Sequence, residues 1–285
     1  MKRIASIQDL SCIGKCSQGI ALPVLSAMGM ECAALPTALL SAHTAFPGFV
    51  GYDLTSMLSP MIEHWRKLNL KFDAIYTGYL GSEEQIALVG DFFRNFADGT
   101  TLRFVDPVMA DHGKLYAGFC DSFPEAMRQL CSRADVLTPN VTEACLLTGL
   151  EYRERHDEPY IRRLLEALLS CGAKLAVLTG LRTDETHASA AAMTQDGAYR
   201  LYRTDYIPEV FHGTGDLFAS VCVGALTLGR APFDAVGLAV DEVMRALRAT
   251  MRDPSRRWYG VNFEETLPAL ISALSDNITP KEVTL

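Results

Sequence analysis

The sequence predicts an α/β protein built on a mostly parallel central sheet with helices on both faces, three layers in all. Three observations carry that prediction. Short apolar runs that end in small or polar residues recur along the 285 residues, segments with helical periodicity lie between them, and one pair of alternating runs closes on a turn dipeptide. Strands separated by helices pair in parallel, because each crossover returns the chain to the same end of the sheet.

Taken in order, the predicted strands are "RIASIQ" from Arg3, "FDAIYTG" from Phe72, "LRFVDP" from Leu102, "ADVLTPN" from Ala134 and "KLAVLTG" from Lys174. Cys32 to Tyr52 contains no Asp, Glu, Lys or Arg, but Pro36, Pro47 and Gly48 break it. It reads as strand and loop, since a membrane span needs about 20 unbroken apolar residues. Helical spacing marks "LTSMLSPMIEHWRKL" from Leu54 and "YIRRLLEALLSCG" from Tyr160. From Ala188, "ASAAAMTQDGAYRLYRTDY" alternates on both sides of Asp196-Gly197, which predicts an antiparallel hairpin on one sheet edge. Helices then follow at about Gly215 to Leu228, Pro232 to Met251 and Glu264 to Leu274. No linker divides the chain, so residues 1–285 read as one domain.

Composition narrows the function. Lys and Arg number 26 against 34 Asp and Glu, a net charge of −8 with no basic block, which argues against nucleic acid as a partner. Met1-Lys2-Arg3 opens like a signal peptide, but Gln8 and Asp9 interrupt the apolar run, so a soluble, cytoplasmic protein is expected. The eight cysteines form no Cys-x-x-Cys pair and sit mostly among apolar neighbours. Buried, reduced thiols follow, with a metal or redox role left open for Cys12 and Cys16.

In a parallel sheet the functional site is expected at the carboxyl ends of the strands. Those ends read Gln8-Asp9, Thr77-Gly78-Tyr79, Asp106-Pro107-Val108, Thr138-Pro139-Asn140, Thr179-Gly180 and Gly213 to Asp216. In "FHGTGDLFAS", Phe211 to Ser220, the glycines precede a helix whose first N–H groups have no intrahelical acceptor, a ready anion site. No Lys-Ser or Lys-Thr follows, so this is not a Walker loop. Asp216 beside a bound phosphate makes sense as a base that takes the proton of an attacking hydroxyl; its alternative role is to cap the helix. Asp106 and Asp111 in "VDPVMAD" would suit Mg²⁺ near phosphates, or simply a turn. Asn140 and Glu143 in "TPNVTEA" would face one place, or form a capping box.

Together these segments, with "SIQ" at Ser6, "SAHT" at Ser41 and "YTGY" at Tyr76, resemble the ribokinase superfamily and, within it, the pyridoxal kinases. The resemblance implies a ribokinase-like fold, ATP as co-substrate, Mg²⁺, a homodimer, and phosphorylation of the 5'-hydroxymethyl of a vitamin B6 compound, and it leaves open whether a monovalent cation assists. It implies that Asp216 is the base, that Gly213, Thr214 and Gly215 form its anion hole, and that Thr44 and Tyr79 meet the substrate, with His43 in the same substrate-side segment. Asp106, Asn140, Glu143 and Thr179 would lie on the ATP and metal side with Asp111, and Gly213 and Gly215 would also touch ATP. The sequence departs from the family's Ser-Ile-Gln-Ser at Asp9, where a carboxylate would accept a hydrogen bond from a protonated ring nitrogen or an exocyclic amine. Ala42 stands where the family often has Asn. "HGTG" at His212 also resembles hydroxymethylpyrimidine kinases, which often carry Cys at the position of Asp216. Phosphorylation of hydroxymethylpyrimidine or its phosphate is therefore one alternative, and a non-catalytic vitamer-binding protein is another.

Overall fold

The computed structural model describes residues 1–275, and the C-terminal "SDNITPKEVTL" from Ser275, on whose order the sequence is silent, lies mostly outside them. The chain runs β1 (Arg3–Ser11), α1 (Gln18–Ala27), β2 (Glu31–Leu40), β3 (Gly51–Asp53), α2 (Thr55–Lys67), β4 (Ala74–Thr77), α3 (Glu83–Phe96) and β5 (Leu102–Val105). A small β6 (Ala110–Asp111) and β7 (Lys114–Leu115) hairpin precedes α4 (Phe123–Cys131), β8 (Val136–Leu137), α5 (Val141–Thr148) and α6 (Glu158–Ser170). Then come β9 (Leu175–Arg182), β10 (His187–Thr194), β11 (Tyr199–Asp205), α7 (Thr214–Thr227), α8 (Pro232–Arg252) and α9 (Leu267–Ser275).

Nine strands form one sheet in the order β11-β10-β9-β8-β5-β4-β1-β2-β3. The six from β9 to β2 pair in parallel, while β10, β11 and β3 are antiparallel additions at the two edges. The predicted hairpin is thus present, turning at Gly197 with φ +85°. Alternate residues of each strand enter different cores. Ile75, Val105, Leu137, Ala176 and Leu178 pack under α2 to α6, whereas Ala74, Tyr76, Phe104, Val136, Leu175 and Val177 pack under α1, α7 and α8. That period of two between two helical layers makes the three-layer architecture.

Local chemistry sets the helix starts. Ser82 accepts the Gln85 N–H at 3.2 Å to begin α3, and Asp157 accepts the Tyr160 N–H at 2.9 Å to begin α6. The last predicted helix differs from the observed one. Phe263–Glu265 is a separate 3-10 turn, because Thr266 turns its hydroxyl to the Phe263 carbonyl and the buried Glu242 before α9 begins. Among the described residues no helix is long and apolar enough to cross a membrane.

Candidate active site

The carboxyl ends of β1, β4, β5, β8 and β9 converge with the start of α7. Helix α7 buries every residue from Leu217 to Ala225 between its neighbours, which fixes the direction of its exposed first turn. Gly213 is the N-cap, with φ +82° and no side chain to cap with. A Cβ on Gly213 would lie 2.0 Å from the Lys15 carbonyl oxygen and 2.6 Å from Ile20 Cδ1, so only glycine fits this approach. A Cβ on Gly215 would meet nothing within 4 Å, and the first N–H groups of α7 have no intrahelical acceptor.

Asp216 does not cap α7. It is partly exposed yet surrounded by protein, and that surrounding pushes its carboxyl up to about 6. The backbone N–H of Ser17 bonds it and pulls the other way, and the charge of Asp9 pushes it up further. Ser17 itself has φ +47°, in the region that favours glycine, which is the torsion that aims its N–H at Asp216. Sequence reasoning missed this residue and its segment Gly14 to Ser17. The glycine at 14, with φ +141° and space for no side chain against His43, was the available signal.

Beside the 41–50 loop, Asp9 is buried near the end of β1 and accepts the Ser11 hydroxyl at 3.2 Å. Burial raises its carboxyl, and the hydroxyls of Ser17 and Ser11 offset part of the rise. The Cys16 thiol beside it is pushed up to about 12 by burial and by the charges of Asp216 and Asp9. It is therefore a protonated packing group with no thiolate character. Tyr79 is half-buried against Phe119, ring centres 5.8 Å apart, with its phenol raised by burial and then by Asp9 and Asp53. His43 packs on His212, ring centres 4.4 Å apart, and burial lowers both imidazoles. This contact gives His212 a packing role, closing the 41–50 loop onto the 206–213 loop. Thr44, expected at the substrate, is exposed on that loop.

The opposite side holds Asp106, Asn140, Glu143 and Thr179. Asn140 pairs with Thr179 across an isolated parallel bridge, so these two stand side by side. Asn140 and Glu143 form the capping box of α5. Glu143 also accepts the Met109 N–H at 3.1 Å, yet burial still pushes its carboxyl up to about 8. Asp106 accepts the Thr138 hydroxyl at 3.2 Å, and burial raises it strongly, followed by the charges of Glu143 and Asp216. Asp111 is half-exposed, accepts the N–H of His112 and pairs with that histidine's ring.

Among the described residues no three His, Cys, Asp or Glu side chains converge as a metal cage. One or two carboxylates here would fit Mg²⁺, which keeps its waters and shares nucleotide phosphates where it binds. A groove of about 450 Å³ lies between the segment after β11 and the last turns of α8, lined by Tyr206, Pro208, Met244 and Met251.

This arrangement joins a helix start without a side-chain cap to a carboxyl raised by burial. Residues 25–256 match the phosphomethylpyrimidine kinase family. The chain is also similar to a pyridoxal kinase of Rubrobacter xylanophilus, 30% identical with 93% of each chain covered. The chain belongs to this family of ribokinase-like kinases. Among solved structures, a candidate phosphomethylpyrimidine kinase from Bacteroides thetaiotaomicron, crystallised with pyridoxal, is 37% identical, with a TM-score of 0.90 over 94% of this chain and 95% of that one. Pyridoxal kinase from Lactobacillus plantarum is 32% identical, with a TM-score of 0.89 over 97% and 99%.

Proposed function

We propose that the protein is an ATP-dependent kinase of vitamin B6 compounds, working as a single domain over residues 1–285. It would phosphorylate the 5'-hydroxymethyl of pyridoxal, pyridoxamine or pyridoxine. The observation that carries this is the first turn of α7, where N–H groups without intrahelical acceptors adjoin an ionisable Asp216 and Gly215 has open space beside it. The pyridoxal kinase names of its relatives supply the substrate class.

In the reaction, Asp216 takes the proton of the substrate hydroxyl as that oxygen attacks the γ-phosphorus of ATP. The bond to ADP breaks, and the N–H groups at Gly213 to Asp216 stabilise the charge on the transferring group. Asp106, Asn140, Glu143 and Thr179 line the phosphate side, and the apolar groove at Tyr206 and Met244 suits the adenine. Mg²⁺, when bound, would neutralise the phosphates, with Asp106, Asp111 and Glu143 as the carboxylates available to orient its waters. Tyr79, His43, Asp9 and Thr44 border the vitamer, and a monovalent cation is a further requirement to test.

A second reading, phosphorylation of hydroxymethylpyrimidine, is favoured by the family match and by the carboxylate at Asp9. Homodimerisation through the β3 edge is supported by exposed Val50 and Tyr52, at 63% and 71% accessibility. Free thiols at all eight cysteines suit a cytoplasmic setting. The deciding experiment is ATP turnover with Mg²⁺ against the three vitamers and hydroxymethylpyrimidine, with Asp216→Asn in parallel. Turnover that collapses in the variant upholds the kinase reading. Vitamer binding without turnover would leave a binding protein instead.

A further inference from the structure

The vitamer end of the cleft holds two carboxylates and no protein cation to balance them. Asp9 is 5% exposed, and its side-chain partners are the neutral hydroxyls of Ser17 and Ser11, the latter at 3.2 Å. Among the described residues no Lys, Arg or His forms an ion pair with Asp9 or with Asp216. Lys15, the cation of the adjoining loop, turns away to Glu264 at 2.8 Å and Asn262 at 3.3 Å. His43 and His212 are held towards their neutral forms by burial.

Asp9 is also built in place. The β1–β2 pairing slips between Gln8 and Leu10, so one residue of β1 faces two of β2 at this point. Its charge acts on Asp216, on the Cys16 thiol and on the Tyr79 phenol, which puts it between the catalytic floor and the substrate-side ring. A desolvated carboxylate without a cation is costly to keep, and it is compensated when a ligand brings the matching donor.

Resting on the kinase reading, we propose that Asp9 is a specificity residue that selects substrates carrying an amine on the ring carbon next to the one bearing the hydroxymethyl. Two sources share that chemistry: the aminomethyl group of pyridoxamine, an ammonium at neutral pH, and the ring amine of hydroxymethylpyrimidine. Pyridoxal and pyridoxine offer an aldehyde and an alcohol at that position and leave the carboxylate unpaired.

The test is kcat/KM for pyridoxamine, pyridoxal, pyridoxine and hydroxymethylpyrimidine with wild type, Asp9→Asn and Asp9→Ser. Wild type should favour an amine-bearing substrate over pyridoxine by roughly tenfold or more, as a charge-assisted hydrogen bond allows. That ratio should fall about tenfold in both variants. The arm that responds, pyridoxamine or the pyrimidine, identifies the source. Equal kcat/KM for amine-bearing and amine-free substrates in wild type overturns the proposal, as does a preference that both variants retain. If wild type phosphorylates none of them, the kinase reading fails, and calorimetric titration with pyridoxamine and pyridoxine still decides this one. Tighter amine binding that Asp9→Asn abolishes supports it, and equal binding overturns it.

Discussion

Helices α5 and α7 place an acid at the same position of their first turn, and the two acids have different fates. Glu143 stands three residues after Asn140, which gives it a capping partner, and its carboxylate returns to the Asn140 N–H at 2.9 Å. Asp216 stands three residues after Gly213, which has no side chain to reciprocate. One acid is spent on its own helix and on the Met109 loop, while the other is left facing the cleft. The N-cap residue therefore decides whether an acid in the first turn completes a capping box or is left to bond elsewhere.

The largest effect that can break this comparison is Asp216→Asn. It should lower kcat by about 10²–10⁴-fold, the range for losing a general base. It should also stabilise the fold at neutral pH. The folded carboxyl titrates near 6, above its usual 3.8, so ionisation costs stability as pH rises through that window. Removing the charge returns about 1–3 kcal/mol, readable as a higher Tm. Glu143→Ala should do the reverse to stability, costing about 1–3 kcal/mol by chemical denaturation through the lost cap and the orphaned Met109 N–H. Glu143→Gln can still complete a capping box, so it should keep stability, and any loss of nucleotide affinity would then report a role in binding.

Gly213→Ala should cost about 1–3 kcal/mol from backbone strain, with further loss from the contact with the Lys15 carbonyl. Gly215→Ala, facing open space, should melt like wild type while raising KM for ATP a few-fold, roughly the cost of one weakened phosphate contact. The smallest effect is on pH dependence. Wild-type kcat/KM should fall as pH drops below about 6, when Asp216 takes up its proton. Asp9→Asn should move that acid limb to lower pH, since the charge of Asp9 raises Asp216. An unmoved limb would detach Asp9 from the base.

The strands were legible because each is an apolar run ended by polar residues, and the edge hairpin because Asp196-Gly197 fits few other turns. β3, β6 and β7 were not, since two or three residues carry no period. In the site, the glycines and Asp216 stood out by type and order. Asn140 and Glu143 read equally well as a box or as ligands; the structure shows the box, and it leaves the second role to experiment. Ser17 was illegible because its contribution is a backbone N–H aimed by an unusual torsion, which residue type does not encode. Lys15, which the sequence did not single out, lies beside the site but is drawn off by residues almost 250 positions away, Asn262 and Glu264.

The approach of Gly213 to the Lys15 carbonyl has a practical corollary. With no room for a methyl group between them, the segment after β1 and the segment before α7 are one interlocked part, although they are distant in sequence. A chimera that imports the 211–216 stretch from another kinase should therefore import 14–17 with it. Exchanged singly, either segment would meet a partner shaped for a different backbone.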